Sequence, residues 1–349
     1  MPDSYLITGG NGLLGRQIVR LLLERGETSV AVFDVRVAPG DLDERVRVFT
    51  GDITKDHEID QAIQDCQATC IIHTAALIGF TGHGRDLLYR VNVGGTKLVV
   101  DAAVAHGVSK LVYTSSASAV FAGKDQAGVD ETVPYPEKPL DEYSDSKAQG
   151  ERIVLEANGR GSLRTCALRV AGLFGPGDRV AVPGYMGALQ RGRTNTQIGN
   201  NTNVFDNTYI DNAAYAHLLA ADRLDPAHPK HARVAGEPFF ITNGEPRRFW
   251  DVPRAFWRAA GWQEPKKFTV IPRPVAFFLA SILEFIGWLI GWKPPLTRYL
   301  VIICTTTRWC NISKAKDALD YEPLVSLDEG IKRSVEWYFE SRKSTKKQL

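Results

Sequence analysis

The sequence predicts an α/β fold, a doubly wound parallel sheet with helices on both faces and a smaller C-terminal lobe. Three observations carry that expectation. In Tyr5-Leu6-Ile7-Thr8-Gly9-Gly10-Asn11-Gly12-Leu13-Leu14-Gly15 an apolar run ends in a glycine-rich turn, and the turn opens a segment of helical apolar spacing at 16–23. Short apolar runs then alternate with helical patterns through the first half, as they do where parallel strands are joined by crossover helices. Glycine and polar punctuation falls just after those runs, at the strand ends where such sheets bind ligands.

The elements follow in order. A second strand is expected at 29–33 with Asp34 at its end, and a third at 46–49 running into Gly51-Asp52-Ile53. A helix at 56–66, a strand at 70–73 and one long helix at 86–106, which contains Asn92, come next. The fifth strand, 110–113, runs into Thr114-Ser115-Ser116. The stretch 120–140 is rich in Gly, Pro and acids and reads as loop. Asp141 is placed to cap a helix that carries Tyr143 and Lys147, and 165–170 is a further strand. Beyond Pro183 the pattern loosens, with short strands near 209–210 and 239–241, an amphipathic helix at 327–339 and a basic, disordered tail at 341–349. Residues 1–182 therefore read as a nucleotide-binding domain of Rossmann type. Residues 183–349 read as a substrate lobe, some of whose segments return to the first domain.

Composition narrows the function. Hydrophobic residues at 44% and charged residues at 23% are globular values. A net charge of +2 without a basic stripe excludes nucleic acid as the expected partner. Five cysteines, with no pair of closely spaced pairs, point to reduced thiols on the cytosolic side and to no metal site. The first strand begins so early that no cleaved signal peptide is expected.

The chemistry lies at the strand ends. Glycines at 9, 12 and 15 let the backbone turn, approach a pyrophosphate and pack helix against strand, while the helix N-terminus offers its N–H groups to phosphate. Asp34, roughly 20 residues beyond that loop, is placed to take ribose hydroxyls and to repel a 2′-phosphate, which favours NAD over NADP. Tyr143 and Lys147 share one helix face, where a lysine cation favours phenolate. Such a phenolate accepts the proton of an alcohol as its hydride leaves. Ser116, at the end of the fifth strand, is placed to hydrogen-bond the reacting oxygen.

Together these stretches resemble the extended short-chain dehydrogenase/reductases over nearly the whole chain. Thr114 to Phe121, Leu168 to Asp178, and Phe240 to Pro246 followed by Phe249-Trp250 are similar to the 3β-hydroxysteroid dehydrogenase branch. Within it the likeness is greatest to the decarboxylating sterol-4α-carboxylate 3-dehydrogenases. The resemblance implies NAD held by Gly9, Gly12, Leu13, Gly15, Asp34, Asp52, Ile53, Ala75 and Ala76. Asn92 supports the site, and Lys147 also binds the nicotinamide ribose. Tyr143 is the general base and Ser116 its partner. The implied reaction oxidises a sterol 3β-hydroxyl and releases the C4 carboxylate. Lys124, Arg179 and Arg193 are candidates to hold that carboxylate, though each reads first as a solvated charge. Homodimerisation through the helices at 86–106 and 142–157 is a further implication.

The run Val275 to Trp292, VAFFLASILEFIGWLIGW, stands apart. It carries a single charge, Glu284, on a narrow stripe with Ser281, Gly287 and Gly291. Lying in a membrane interface is the favoured placement. Spanning a membrane and burial in the C-terminal lobe remain open. The resemblance places such a segment on the endoplasmic reticulum membrane or the lipid-droplet surface, facing the cytosol. Rival readings are a 3β-hydroxysteroid or secondary-metabolite dehydrogenase without decarboxylation, a sugar-nucleotide epimerase, and a NAD-sensing scaffold without catalysis.

Overall fold

The computed structural model describes residues 2–79 and 84–347. Seven strands form one parallel sheet in the spatial order Pro238–Ile241, Arg164–Val170, Lys110–Ser116, Cys70–His73, Tyr5–Thr8, Val30–Asp34 and Arg47–Thr50. The four residues of Tyr5–Thr8 and of Cys70–His73 are all buried, as central strands of a sheet covered on both faces must be. The edge strand Arg47–Thr50 is mostly exposed.

Side-chain alternation divides the core in two. Tyr5, Ile7, Val32, Ile72 and Val112 point to one face, against Leu14, Ile18 and Leu22 of helix Leu13–Glu24 and the alanines of helix Ile210–Arg223. Leu6, Ala31, Ile71 and Leu111 point to the other, against Ile59 and Ile63, Val99 and Ala103, and Val154. The two-residue period of the strand sorts these residues, so one sequence feeds two helical layers.

Four expectations change on contact with the structure. The helix expected at 86–106 is divided: Arg85–Tyr89 and Thr96–Ala105 are joined through a wider turn, Arg90–Gly95, with five-residue hydrogen-bond spacing. The expected loop at 120–140 contains the strand Gln126–Val129, recruited by Arg308–Cys310 from far along the chain. Strand Pro238–Ile241, placed above among the lobe's short strands, closes the central sheet against Arg164–Val170. The last helix runs from Leu327 to Lys347, so most of the expected tail is helical; residues 348–349 of that tail lie outside the described residues.

A second, four-stranded sheet stands beyond the carboxyl ends of the large one, in the order Arg247–Arg248, Val204–Phe205, Arg308–Cys310, Gln126–Val129. Helix Arg273–Ile290 packs on helix Arg298–Thr305 through a thin stripe of Ala276 and Ala280 against Val301, while Gly287, on the same stripe, lies against the Trp292 carbonyl and Pro294. Glu284 on that stripe accepts from the backbone N–H of Arg298 (2.9 Å) and pairs with its guanidinium. Phe278, Phe285, Trp288, Leu289 and Ile290 are exposed on the wide remaining arc. The helix is long and apolar enough to cross a membrane, and only 17% of it is buried against the protein.

Candidate active site

The glycine loop folds as its spacing demands. Gly9 has φ 68°, and a Cβ there would lie 2.7 Å from the backbone of Ala75. A Cβ at Gly15 would lie 2.4 Å from the Gly9 carbonyl. Both positions exclude a side chain, and the loop therefore presses against the next strand end while helix Leu13–Glu24 starts directly behind it. Asp34 ends its strand and accepts from the N–H of Asn11 at 3.0 Å and of Arg36 at 3.2 Å. Its carboxylate is thus fixed beside the loop. Gly9, Gly12, Asp34, Asp52, Ile53, Ala75 and Ala76 line one cleft. Leu13 is the first helical residue behind it. Phe33, Thr74, Leu77 and Val91 line the same cleft and were missed, since residues at a strand end, in a loop and in the wide turn share no local motif. A bare backbone cradle, a fixed carboxylate and apolar walls fit a dinucleotide: pyrophosphate on the loop, ribose on Asp34, adenine between Ile53 and its neighbours.

Asn92 is buried in the wide turn. Its side chain accepts from Leu77 N–H (2.7 Å) and donates to Leu77 C=O (3.0 Å) and to the Ser146 hydroxyl (3.0 Å). The amide therefore ties a cleft wall to the helix that bears Tyr143 and Lys147. With its side chain committed to protein groups, Asn92 positions the site.

Helix Glu142–Glu156 is capped by Asp141, whose Oδ1 accepts from Ser144 N–H at 2.7 Å. The Lys147 ammonium donates to the Thr114 carbonyl (2.7 Å) and lies 4.2 Å from the centre of the Tyr113 ring. This holds the helix against the strand that ends in Ser116. Burial draws Lys147 down to about 7, and the negative charge of Glu151 opposes that fall. Burial raises the Tyr143 phenol, the neighbouring Ser116 hydroxyl lowers it, the charge of Asp141 raises it and the positive charge of Arg308 lowers it. Ser116, Tyr143 and Lys147 thus converge at one strand end. The cation whose field reaches the phenol is Arg308.

Two further groups escaped the sequence. Behind Lys147, Glu151 is fully buried and takes Arg169 Nη2 (2.8 Å), the Tyr135 hydroxyl (2.6 Å) and the Ser115 hydroxyl. It lies four residues beyond Lys147 on the same helix face, the one hint that sequence offered. Arg308 has no local motif at all. Lys124, Arg179 and Arg193, the cations that were considered, are exposed. Asp206, near Arg308, accepts from Cys310 N–H at 2.7 Å through one oxygen, has no partner for the other, and is pushed up to about 7 by burial.

Comparison with known proteins agrees with this geometry. The sequence profile of the 3-beta hydroxysteroid dehydrogenase/isomerase family matches residues 6–273. The decarboxylating sterol-4-alpha-carboxylate 3-dehydrogenase of Schizosaccharomyces pombe is 43% identical, over 97% of this chain and 98% of the relative. Its namesake in Saccharomyces cerevisiae is 40% identical over 96% and 97%, and that of Mus musculus 36% over 97% and 91%. Among solved structures, a UDP-glucose 4-epimerase of Thermus thermophilus in complex with NAD superposes with a TM-score of 0.72 at 23% identity, covering 96% of this chain and 98% of that one. That likeness concerns the fold.

Proposed function

This chain belongs to the 3-beta hydroxysteroid dehydrogenase/isomerase family, and we propose that it oxidises the 3β-hydroxyl of a 4α-carboxysterol with NAD, releasing the C4 carboxylate as CO₂. The observation that carries the reading is the convergence of Ser116, Tyr143 and Lys147 at the end of strand Lys110–Ser116, beside a cleft built from the glycine loop and Asp34. The full-length likeness to decarboxylating sterol dehydrogenases supplies the substrate.

NAD, when bound, accepts the hydride from C3. Ser116 and Tyr143 hold the 3-oxygen between them, and Tyr143 takes its proton as the carbonyl forms. The product is a β-keto acid. Its C4–carboxyl bond breaks with the electron pair moving into a C3–C4 enolate, CO₂ departs, and a proton later adds at C4. Tyr143, now protonated, and Ser116 donate to the enolate oxygen and stabilise its charge. Lys147, anchored on Thr114, holds the nicotinamide ribose. Asn92 and the buried Glu151–Arg169 pair keep the helix in register for this work.

The apolar arc of helix Arg273–Ile290 supports placement of the enzyme on a membrane, where its substrate dissolves. The endoplasmic reticulum or lipid-droplet surface, cytosolic side, is the proposed location. A homodimer is proposed on the same footing, through helices Thr96–Ala105 and Glu142–Glu156, which pack side by side. The test of function is direct. Purified protein with NAD and a 4α-carboxy-3β-hydroxysterol should yield NADH and CO₂ in equal amounts. NADH without CO₂ would move the substrate to another hydroxysteroid, and neither product would refute the reading.

A further inference from the structure

The proposed substrate carries an anion on the carbon next to the one oxidised, and none of the groups assigned so far receives it. Arg308 is placed to do so. It starts the short strand Arg308–Cys310, between Val204–Phe205 and Gln126–Val129. Its guanidinium carbon lies 4.7 Å from the centre of the Phe121 ring and 4.7 Å from that of Phe205. Two aromatic rings thus flank the cation, a contact that favours a planar guanidinium. Phe121 immediately follows the turn Ala117–Val120 that Ser116 caps, so this clamp is attached to the reacting end of the central strand.

Among the described residues the guanidinium has no ion-pair partner and no hydrogen-bond acceptor. Its charge nevertheless acts on Tyr143 and Tyr299 and faces Asp141 and Asp206. Neither carboxyl is committed to it: Asp141 caps its helix and meets Tyr299, and Asp206 is tied to Cys310. Tyr143, Asp141 and Tyr299 line one cleft with Gly79 and Leu140, on the substrate side of the phenol. A half-buried arginine with five donors, flanked by two aromatic rings, without an ion-pair partner among the described residues and near enough to the general base for its charge to act there, matches a carboxylate.

We propose that Arg308 recognises the C4 carboxylate of the sterol and selects the acid over neutral 3β-hydroxysterols. The assignment rests on the function proposed above. A bidentate pair would fix the carboxylate, and with it the C4–carboxyl bond, relative to the 3-oxygen held by Tyr143 and Ser116.

The test uses the full chain with NAD and two 3β-hydroxysterols that differ only at C4, one with a 4α-carboxylate and one with a 4α-methyl group. The readout is the ratio of their kcat/KM values, which cancels any effect of the Arg308 charge on Tyr143 because that effect is common to both. Arg308→Gln should lower the ratio about 100-fold, and Arg308→Lys, which keeps the charge without the planar fork, about tenfold. NAD affinity, measured on each variant, reports whether the chain has folded. If Arg308→Gln does not fold, Arg308→Lys decides alone. An equal loss on both sterols, or an unchanged ratio, would overturn the assignment. Wild-type protein that oxidises both sterols equally well would overturn it and leave the dehydrogenase standing. Wild-type protein that makes NADH from neither would overturn the function itself, and the assignment with it.

Discussion

The two sides of the active cleft are built differently. On the cofactor side, the glycine loop, Asp34 and Asn92 lie within the first hundred residues, and the Asp34 carboxylate and the Asn92 amide are already engaged by backbone or a neighbouring side chain, although Asn11 Oδ1 in the loop has no partner. On the substrate side, Phe121, Asp141, Phe205, Tyr299 and Arg308 come from segments scattered over most of the chain, and an arginine and a carboxylate oxygen stay unpaired. The first arrangement holds Asp34 and Asn92 in place before any ligand arrives. The second is completed by its substrate. A site that must hold a constant cofactor gains from rigidity, and one that must tell an acid from a neutral sterol gains from a buried charge that only the acid satisfies.

That contrast can be broken experimentally. The largest effect belongs to Tyr143→Phe, which removes the proton acceptor where the two sides meet. Turnover should fall about 10²–10⁴-fold, with NAD binding retained in equilibrium titration. Gly9→Ala attacks the cofactor side alone. A left-handed φ and a Cβ pressed on Ala75 should cost about 2–3 kcal/mol, read as weakened NAD binding and a lowered Tm. Asn92→Ala strips partners from Leu77 and Ser146. It should reduce kcat by about tenfold or more with a smaller change in the Kd for NAD, because the bond it breaks positions the catalytic helix.

The remaining effect concerns stability on the substrate side. Asp206 is held near 7 in the folded chain against about 3.9 unfolded, so between those values the native state binds the extra proton. Its contribution is full below about pH 4 and is lost as pH rises toward 7. Urea midpoints for Asp206→Asn should therefore gain on wild type as pH increases over that window. His73 and His217, both buried and shifted down to about 3 and about 4, slope the other way in both proteins and cancel in the difference.

The same contrast explains what could be read from sequence. Gly9, Gly12, Gly15 and Asp34 act through backbone geometry and short-range spacing, and Tyr143 and Lys147 through a single helical turn, so local pattern suffices. Asp34 at a strand end was legible for that reason, whereas the role of Asn92 came only from the family resemblance, and the wide turn that aims it was not foreseen. Arg308 depends on a pairing with Phe205 and Gln126, between segments separated by more than half the length of the molecule in the latter case. No periodicity in Thr307-Arg308-Trp309-Cys310 announces a clamp. Strand Pro238–Ile241 was misplaced for the same reason, since a short apolar run does not say which sheet it will join. The helix Arg273–Ile290 was legible in composition. Of the expected stripe, Glu284 and Gly287 meet the protein, Gly291 is exposed and the Ser281 hydroxyl turns back to the Phe277 carbonyl, with Ala276 and Ala280 taking the contact that small residues allow.

The most direct measurement follows the hydrogen that leaves C3. With a 4α-carboxy-3β-hydroxysterol carrying deuterium at C3, the account predicts that wild-type protein transfers the label to the reduced cofactor and releases one CO₂ for each label transferred, and that Tyr143→Phe does neither at a comparable rate. Loss of CO₂ without label in the cofactor, or undiminished transfer by Tyr143→Phe, would contradict it.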